Sequence, residues 1–266
     1  MELKEQNWQN LCANHVKDWH GIWTRYSPQG DMMGSFQSLR RFQSTPDCNE
    51  VIQTNRYIYT DGRIEEQSWT LNQQLDSFPD GLSHPAFPSM RTLFFEQGAA
   101  ALLCKQLETG KPSAFELFFR HDNLRNSIGI VYDAYGSLMR TASIREDTAG
   151  FPSQYWTTEV NLGTKRNLSG NWSGTAVTMT PDLKVSTPVP IQLRTDWEGQ
   201  ETFFYPDGIT LNCPRQVKIG TAFTLAANWL VNSCELQQLI INYDESGAFS
   251  TLTLELFHQS AGENKD

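Results

Sequence analysis

Tyr132-Asp133-Ala134-Tyr135-Gly136-Ser137-Leu138 returns late in the chain as Tyr243-Asp244-Glu245-Ser246-Gly247-Ala248-Phe249. Upstream of these copies, Ser113-Ala114-Phe115-Glu116-Leu117 corresponds to Thr221-Ala222-Phe223-Thr224-Leu225. Further out, Tyr59-Thr60-Asp61-Gly62 corresponds to Tyr205-Pro206-Asp207-Gly208, Leu39-Arg40 to Leu193-Arg194, and Gly21-Ile22-Trp23 to Gly170-Asn171-Trp172. The correspondences keep one order in both halves, the mark of a duplicated unit. A chain of 266 residues has room for two small domains. The expected division is 1–149 and 150–260, joined through the polar stretch 146–153 with its Gly150 and Pro152. The polar end, 261–266, is expected to be a disordered tail.

One helix opens the chain. Trp8, Leu11, Cys12, His15, Val16 and Trp19 fall on one helical face, with Asn7, Asn10 and Asn14 facing elsewhere, and a stop is expected near His20-Gly21. Beyond Gly21 the sequence reads as short strands separated by Gly-containing turns. In the first half these cover 35–42, 51–59, 64–71, 91–96, 99–106, 115–120, 128–132 and 137–145. In the second they cover 174–180, 188–197, 201–205, 209–213, 217–219, 222–231, 236–243 and 248–258, and 154–162 reads as a strand of either half. Sequential short strands form an up-and-down meander, and a meander of this size closes into a barrel because closure removes exposed edges. About eight strands enclose either packed side chains or one small ligand.

A helix, then Gly-x-Trp, then an antiparallel meander resembles the lipocalin-like fold. The signature residues are Gly21 and Trp23 in the first half and Gly170 and Trp172 in the second. The fold expected is therefore all-β, with two tandem lipocalin-like up-and-down barrels and an N-terminal helix. The run Trp8-Gln9-Asn10-Leu11, followed by Gly21-Ile22-Trp23-Thr24-Arg25-Tyr26-Ser27-Pro28-Gln29-Gly30, resembles the opening of an uncharacterised cyanobacterial and plastid family of tandem lipocalin-like proteins. A more distant similarity is to the lipocalin-like bilin lyases. The resemblance implies that Trp23 packs against an Arg on a late strand, Arg140 or Arg145. The second half has no Arg after Arg215, and His258 stands as the substitute there.

The net charge of −9 and the absence of a Lys/Arg run argue against nucleic acid as a partner. No apolar run of about 18 residues is present, so no membrane span is expected. Residues 1–10 are too polar for a secretion signal, and a cytoplasmic protein is expected. Five widely spread cysteines without a CxxC pair are expected to be reduced, mostly buried thiols. His15, His20, His84, His121 and His258 form no ligand-spaced cluster, so no metal site is expected. No serine-nucleophile or phosphate-loop motif occurs either. No catalytic residue can be named, and the balance leans away from an enzyme. Cofactor and oligomeric state have no signal in the sequence.

Aromatic residues make up 12% of the chain, with eight Trp and fifteen Phe, enough both for a core and for an apolar pocket. Arg40 and Arg194 sit mid-strand in corresponding places, where an inward guanidinium holds a ligand carboxylate and an outward one is solvated. The candidate linings are Phe36, Arg40, Tyr57 and Phe115 in the first half and Arg194, Phe203, Tyr205 and Trp229 in the second. Asp133 and Asp244 are expected to cap their own turns. The function expected is binding of a small apolar or amphipathic ligand, fatty-acid-like or tetrapyrrole-like. The alternatives are a bilin lyase or isomerase-like enzyme, and a non-catalytic interaction protein with filled barrels.

Overall fold

The structure is a computed structural model, and it describes residues 1–259. The expected tail at 261–266 lies outside the described residues. Helix α1 (Leu3–His15) opens the chain, with the Glu5 carboxylate accepting from the backbone N–H of Glu2 at 3.1 Å. It stops earlier than its apolar spacing suggests, because Trp19 already belongs to the first strand. The expectation that Asn7, Asn10 and Asn14 face away from the core is also corrected: all three are buried.

The first sheet contains β1 (Asp18–Tyr26), β2 (Met32–Ser44), β3 (Glu50–Ile58) and β4 (Ile64–Asn72). After the one-turn helix α2 (Gln73–Asp76) come β5 (Ser77–Phe78), β6 (Gly81–His84), β7 (Phe87–Phe94), β8 (Ala100–Cys104), β9 (Ser113–His121), β10 (Leu124–Tyr132) and β11 (Leu138–Asp147). Their spatial order is β4-β3-β2-β1-β11-β10-β9-β8-β7-β6-β5. The first and last strands of that order, β4 and β5, are joined only by α2, so the sheet curls into a nearly closed antiparallel barrel. The Asn72 side chain starts α2 by accepting from the N–H groups of Gln74 and Leu75.

The second sheet contains β12 (Trp172–Met179), β13 (Val189–Gln192), β14 (Glu201–Phe204), β15 (Ile209–Cys213), β16 (Phe223–Asn232), β17 (Glu235–Tyr243) and β18 (Phe249–Gln259), in the order β13-β12-β18-β17-β16-β15-β14. Here the expectation of two tandem barrels is corrected: this sheet is open, and there is one barrel. The reason is a shortage of strands. Residues 27–99 supply six strands between β1 and β8, whereas 180–208 supply two, each of four residues, between β12 and β15. One of them, β13, carries Pro190, which cannot donate to a further neighbour. The stretches 154–162 and 217–219, expected as strands, form none.

The main core lies between the two sheets. Leu117, Phe119, Ile128, Ile130 and Tyr132 on the outer face of the barrel pack against Leu225, Ala227, Trp229, Leu239, Ile241, Leu252 and Leu254. Two hairpin turns then clasp the opposite half. Leu138 N–H donates to the Arg215 carbonyl and Val217 N–H to the Gly136 carbonyl; Phe249 N–H donates to the Lys105 carbonyl and Leu107 N–H to the Gly247 carbonyl. The repeated tyrosines lock these contacts: the Tyr132 hydroxyl donates to the Pro214 carbonyl at 2.9 Å, and the Tyr243 hydroxyl donates to the Cys104 carbonyl. Asp133 and Asp244 cap the turns as expected, each accepting backbone N–H groups two and four residues on. Gly136 has φ +77°, and a Cβ there would collide with the Val217 carbonyl.

The cysteine expectation is also corrected. Cys12 and Cys48 form a disulfide that ties α1 to the β2–β3 turn; Cys104, Cys213 and Cys234 are free.

Candidate functional site

Alternation along the strands places Trp19, Gly21, Trp23 and Arg25 of β1 on the inner face of the barrel. Their cross-strand partners there are Phe36, Ser38 and Arg40 of β2 and Ala142, Ile144 and Glu146 of β11. Helix α1 closes one end. Asn7 and Asn10 donate to the Thr92 and Phe94 carbonyls, Asn7 Oδ1 accepts from Phe94 N–H, and Trp8 Nε1–H donates to the Cys48 carbonyl. The buried asparagines thus hydrogen-bond backbone groups of β7. The helix presents Leu11 and His15 to the interior.

Inside is a cavity of about 270 Å³. Its floor is a charged network. Arg40 Nη1 and Nη2 donate to Glu116 Oε1 at 3.3 and 3.2 Å, and Ser127 Oγ donates to the same oxygen at 2.6 Å. Arg125 Nε donates to Glu146 Oε2 at 2.8 Å. Arg40 Nε lies 3.3 Å from Glu146 Oε1, close enough for an ion pair but without hydrogen-bond alignment. Two guanidiniums and two carboxylates therefore neutralise one another in a largely buried setting. Burial opposes the charge on Arg40, but Glu146 and Glu116 overcome it and raise its pKa. Arg125 is lowered, mainly by burial, with Glu146 holding it up and Arg40 pushing it further down. The guanidiniums also lie over rings: Arg40 is 4.9 Å from the Trp23 centroid and Arg125 4.6 Å from that of Trp19. Gly21 is required by this floor, since a Cβ there would collide with the Glu146 side chain.

The walls are aromatic. Trp23 stacks on Phe36 at 5.8 Å and meets Tyr57 edge-on at 5.5 Å. On the side where β4 and β6 are not hydrogen-bonded, side chains fill the gap. His84 packs on Trp69 at 5.1 Å and on Phe87 at 5.6 Å, with Nε2 3.2 Å from Gln53 Oε1. Burial holds the His84 imidazole down at about 4. At the end away from the helix the lining includes Arg25 and Arg140.

Of the residues singled out from the sequence, Arg40 and Tyr57 line the cavity, and Phe36 packs against Tyr57 and Trp23 beside it. Phe115 borders it, but its ring packs on Tyr132 and on Phe223 and Tyr243 of the other half. Phe203, Tyr205 and Trp229 are buried in the core between the sheets. Arg194 is exposed, donates to the Asp196 carbonyl, and lies over Trp197. It borders a separate concavity of about 770 Å³ on the open sheet, with Thr210, Asn212 and Asn228. The partner of Trp23 is Arg40 rather than Arg140 or Arg145. Arg145 points the other way, donating to the Thr157 and Glu159 carbonyls and pairing with Asp207. Trp172 packs with Leu236 and Phe257 and donates to the Leu168 carbonyl, while His258 faces Glu235.

Sequence reasoning missed Glu116, Arg125, Glu146 and Arg25, and gave Arg140 only as a packing partner for Trp23. Glu116 had a legible signal, a carboxylate alternating with Phe115, Leu117 and Phe119 in one strand. Arg125 and Glu146 meet only across the β10–β11 register and leave no local trace.

The fold and the cavity define a plugged antiparallel barrel with room for a small ligand, backed by an open second sheet. A family model described as domain of unknown function (DUF3598), N-terminal, matches residues 4–151. The chain belongs to the DUF3598 family. Residues 191–258 match a second model, the C-terminal domain of biogenesis factor required for ATP synthase 1. No curated protein matches. A crystal structure of a DUF3598 protein of unknown function from Nostoc punctiforme is similar over 96% of this chain and 99% of its own, with TM-score 0.74 and 21% identity, so the fold is shared. The S-type phycobiliprotein lyase CPES from Guillardia theta aligns over 56% of this chain and 92% of its own, at TM-score 0.35 and 12% identity. Rv2717c from M. tuberculosis aligns at TM-score 0.23 and 8% identity.

Proposed function

We propose that the barrel formed by residues 1–149 binds one compact amphipathic molecule, and that residues 150–260 are a duplicated unit that lost closure and now backs the barrel. The observation that carries this reading is the cavity itself. Its walls are Trp23, Tyr57 and Trp69, and its floor charges are already neutralised by one another. A core evolved only for packing would fill such a space, since voids larger than a water are few in a domain. At about 270 Å³ the volume lies at the lower edge of ligand pockets, roughly 300–1,000 Å³. It suits a single chain or a small ring system better than an extended tetrapyrrole. Binding is favoured over catalysis because Glu116 and Glu146 are engaged by Arg40, Arg125 and Ser127 rather than turned free into the cavity. Native mass spectrometry of the protein from its own source tests this: a retained small molecule supports it, and a bare chain that also ignores apolar probes argues against it.

One observation favours a second role for the other half. Residues 191–258 resemble the C-terminal domain of an ATP synthase biogenesis factor, and a concavity on the open sheet is lined by the half-buried Asn228 with the buried Thr210 and Asn212 behind it. On this reading that concavity docks an assembly partner. Cross-linking from an Asn228→Cys variant to isolated ATP synthase subunits tests it.

A further inference from the structure

We infer that the ligand carries an anionic head, seated at the barrel end away from the helix between Arg25 and Arg140; this deepens the binding reading above and rests on it. Arg25 pairs across the sheet with Ala142, and Arg140 lies two residues from Ala142 on the same inner face. The two side chains are therefore diagonal neighbours, roughly 7–8 Å apart at Cα and within mutual reach. Both line the cavity, and both are only half-buried.

Neither makes a side-chain hydrogen bond or an ion pair among the described residues, although Arg40 and Arg125, deeper in the same cavity, are both matched by carboxylates. On β4, Glu65, the cross-strand partner of Tyr57, is engaged by Arg63 at 2.6 Å and by the Tyr59 hydroxyl at 3.0 Å. Arg25 is instead held over rings, 5.1 Å from the Phe36 centroid and 5.9 Å from that of Trp23. Two adjacent cations with no counter-charge repel each other, and in a chain of net charge −9 they are not part of a general basic surface. A carboxylate between them supplies the missing charge and accepts from both forks. Its apolar body then runs along Trp23 and Tyr57 toward Trp69 and Phe94, and stops at the neutralised floor. The site thus has a charged entrance and a closed, charge-balanced end, which fixes the direction of entry.

The test compares dodecanoate, dodecanol and dodecylamine, matched in body and different in head, by calorimetric titration. The native protein is expected to bind dodecanoate about 10- to 100-fold more tightly than dodecanol, the effect of one or two charge-assisted bonds, with dodecylamine weakest. In the Arg25→Gln/Arg140→Gln variant the acid and the alcohol are expected to bind alike. Arg41→Gln, on the outer face in an exposed pair with Asp18, is expected to keep the native preference. Equal binding of acid and alcohol by the native protein would overturn the anionic head while leaving the cavity reading intact. Binding of none of the three would remove the cavity reading itself. Loss of alcohol binding together with acid binding in the double variant would show that the arginines hold the wall and not a head group, which also overturns the inference.

Discussion

At the scale of single residues, the four charges on the cavity floor set both stability and shape. Removing one member of a buried, paired set leaves an uncompensated charge and costs about 3–5 kcal/mol. Arg40→Met is therefore expected to lower the denaturation midpoint by that order, because Glu116 loses its partner and Glu146 a flanking charge. Pairing it with Glu116→Gln is expected to recover part of the loss, and strictly additive effects would show that the two residues do not act together. His84 gives a pH signature. Its pKa falls from 6.5 to about 4 on folding, so between those values the unfolded chain binds a proton that the native chain refuses. Stability is then expected to decline as pH falls through that window, and to be free of this contribution above it. Denaturant titrations of the native protein and of His84→Gln should diverge there; parallel profiles would contradict the buried, neutral imidazole.

Among the elements, α1 is the part whose role was legible and whose means were not. Trp8 and Leu11 mark an apolar face in any helical reading, and they are buried at the barrel end. Asn is usually exposed, and the spacing puts Asn7, Asn10 and Asn14 off the apolar face. Asn7, Asn10 and Asn14 instead reach carbonyls of Thr92, Phe94 and Glu96, residues more than eighty positions away, which no local window contains. The Cys12–Cys48 bond was hidden for the same reason: it depends on the helix lying against the β2–β3 turn. Asn7→Ala strips two bonds from buried backbone groups and is expected to cost about 1–3 kcal/mol. Opening the disulfide by Cys12→Ser/Cys48→Ser frees a loop of 36 residues and is expected to cost about 3–4 kcal/mol by chain entropy. Equal unfolding midpoints with and without reductant would show that the bond does not form in solution. In the second half the two strands between β12 and β15 were legible, at 188–197 and 201–205, but not that the first shrinks to the four residues of β13. The decisive fact is the number of strands between β12 and β15.

On the scale of the whole molecule, the repeated turns also join the two sheets. The turns at 132–138 and 243–249 each end in a backbone bridge to the other half, to 215–217 and 105–107, and the tyrosine that begins each turn bonds across. The outer face of β9 and β10 is therefore a buried core, not a surface. A fragment of residues 1–149 is expected to expose Leu117, Phe119, Ile128 and Ile130 and to self-associate on size exclusion. A stable monomeric fragment would show that the barrel stands alone. Among the described residues the two sheets form a plugged cavity and an open concavity, and the central claim is that a small molecule occupies the first. The most direct measurement is titration of an uncharged naphthalene probe into the native protein, Ala142→Phe and Asn228→Phe, with folding of each variant checked by circular dichroism. Ala142 lines the barrel cavity and Asn228 the open sheet, so filling the first is expected to abolish binding and filling the second to leave it unchanged. Binding that survives in Ala142→Phe and disappears in Asn228→Phe would place the ligand on the open sheet and contradict the claim.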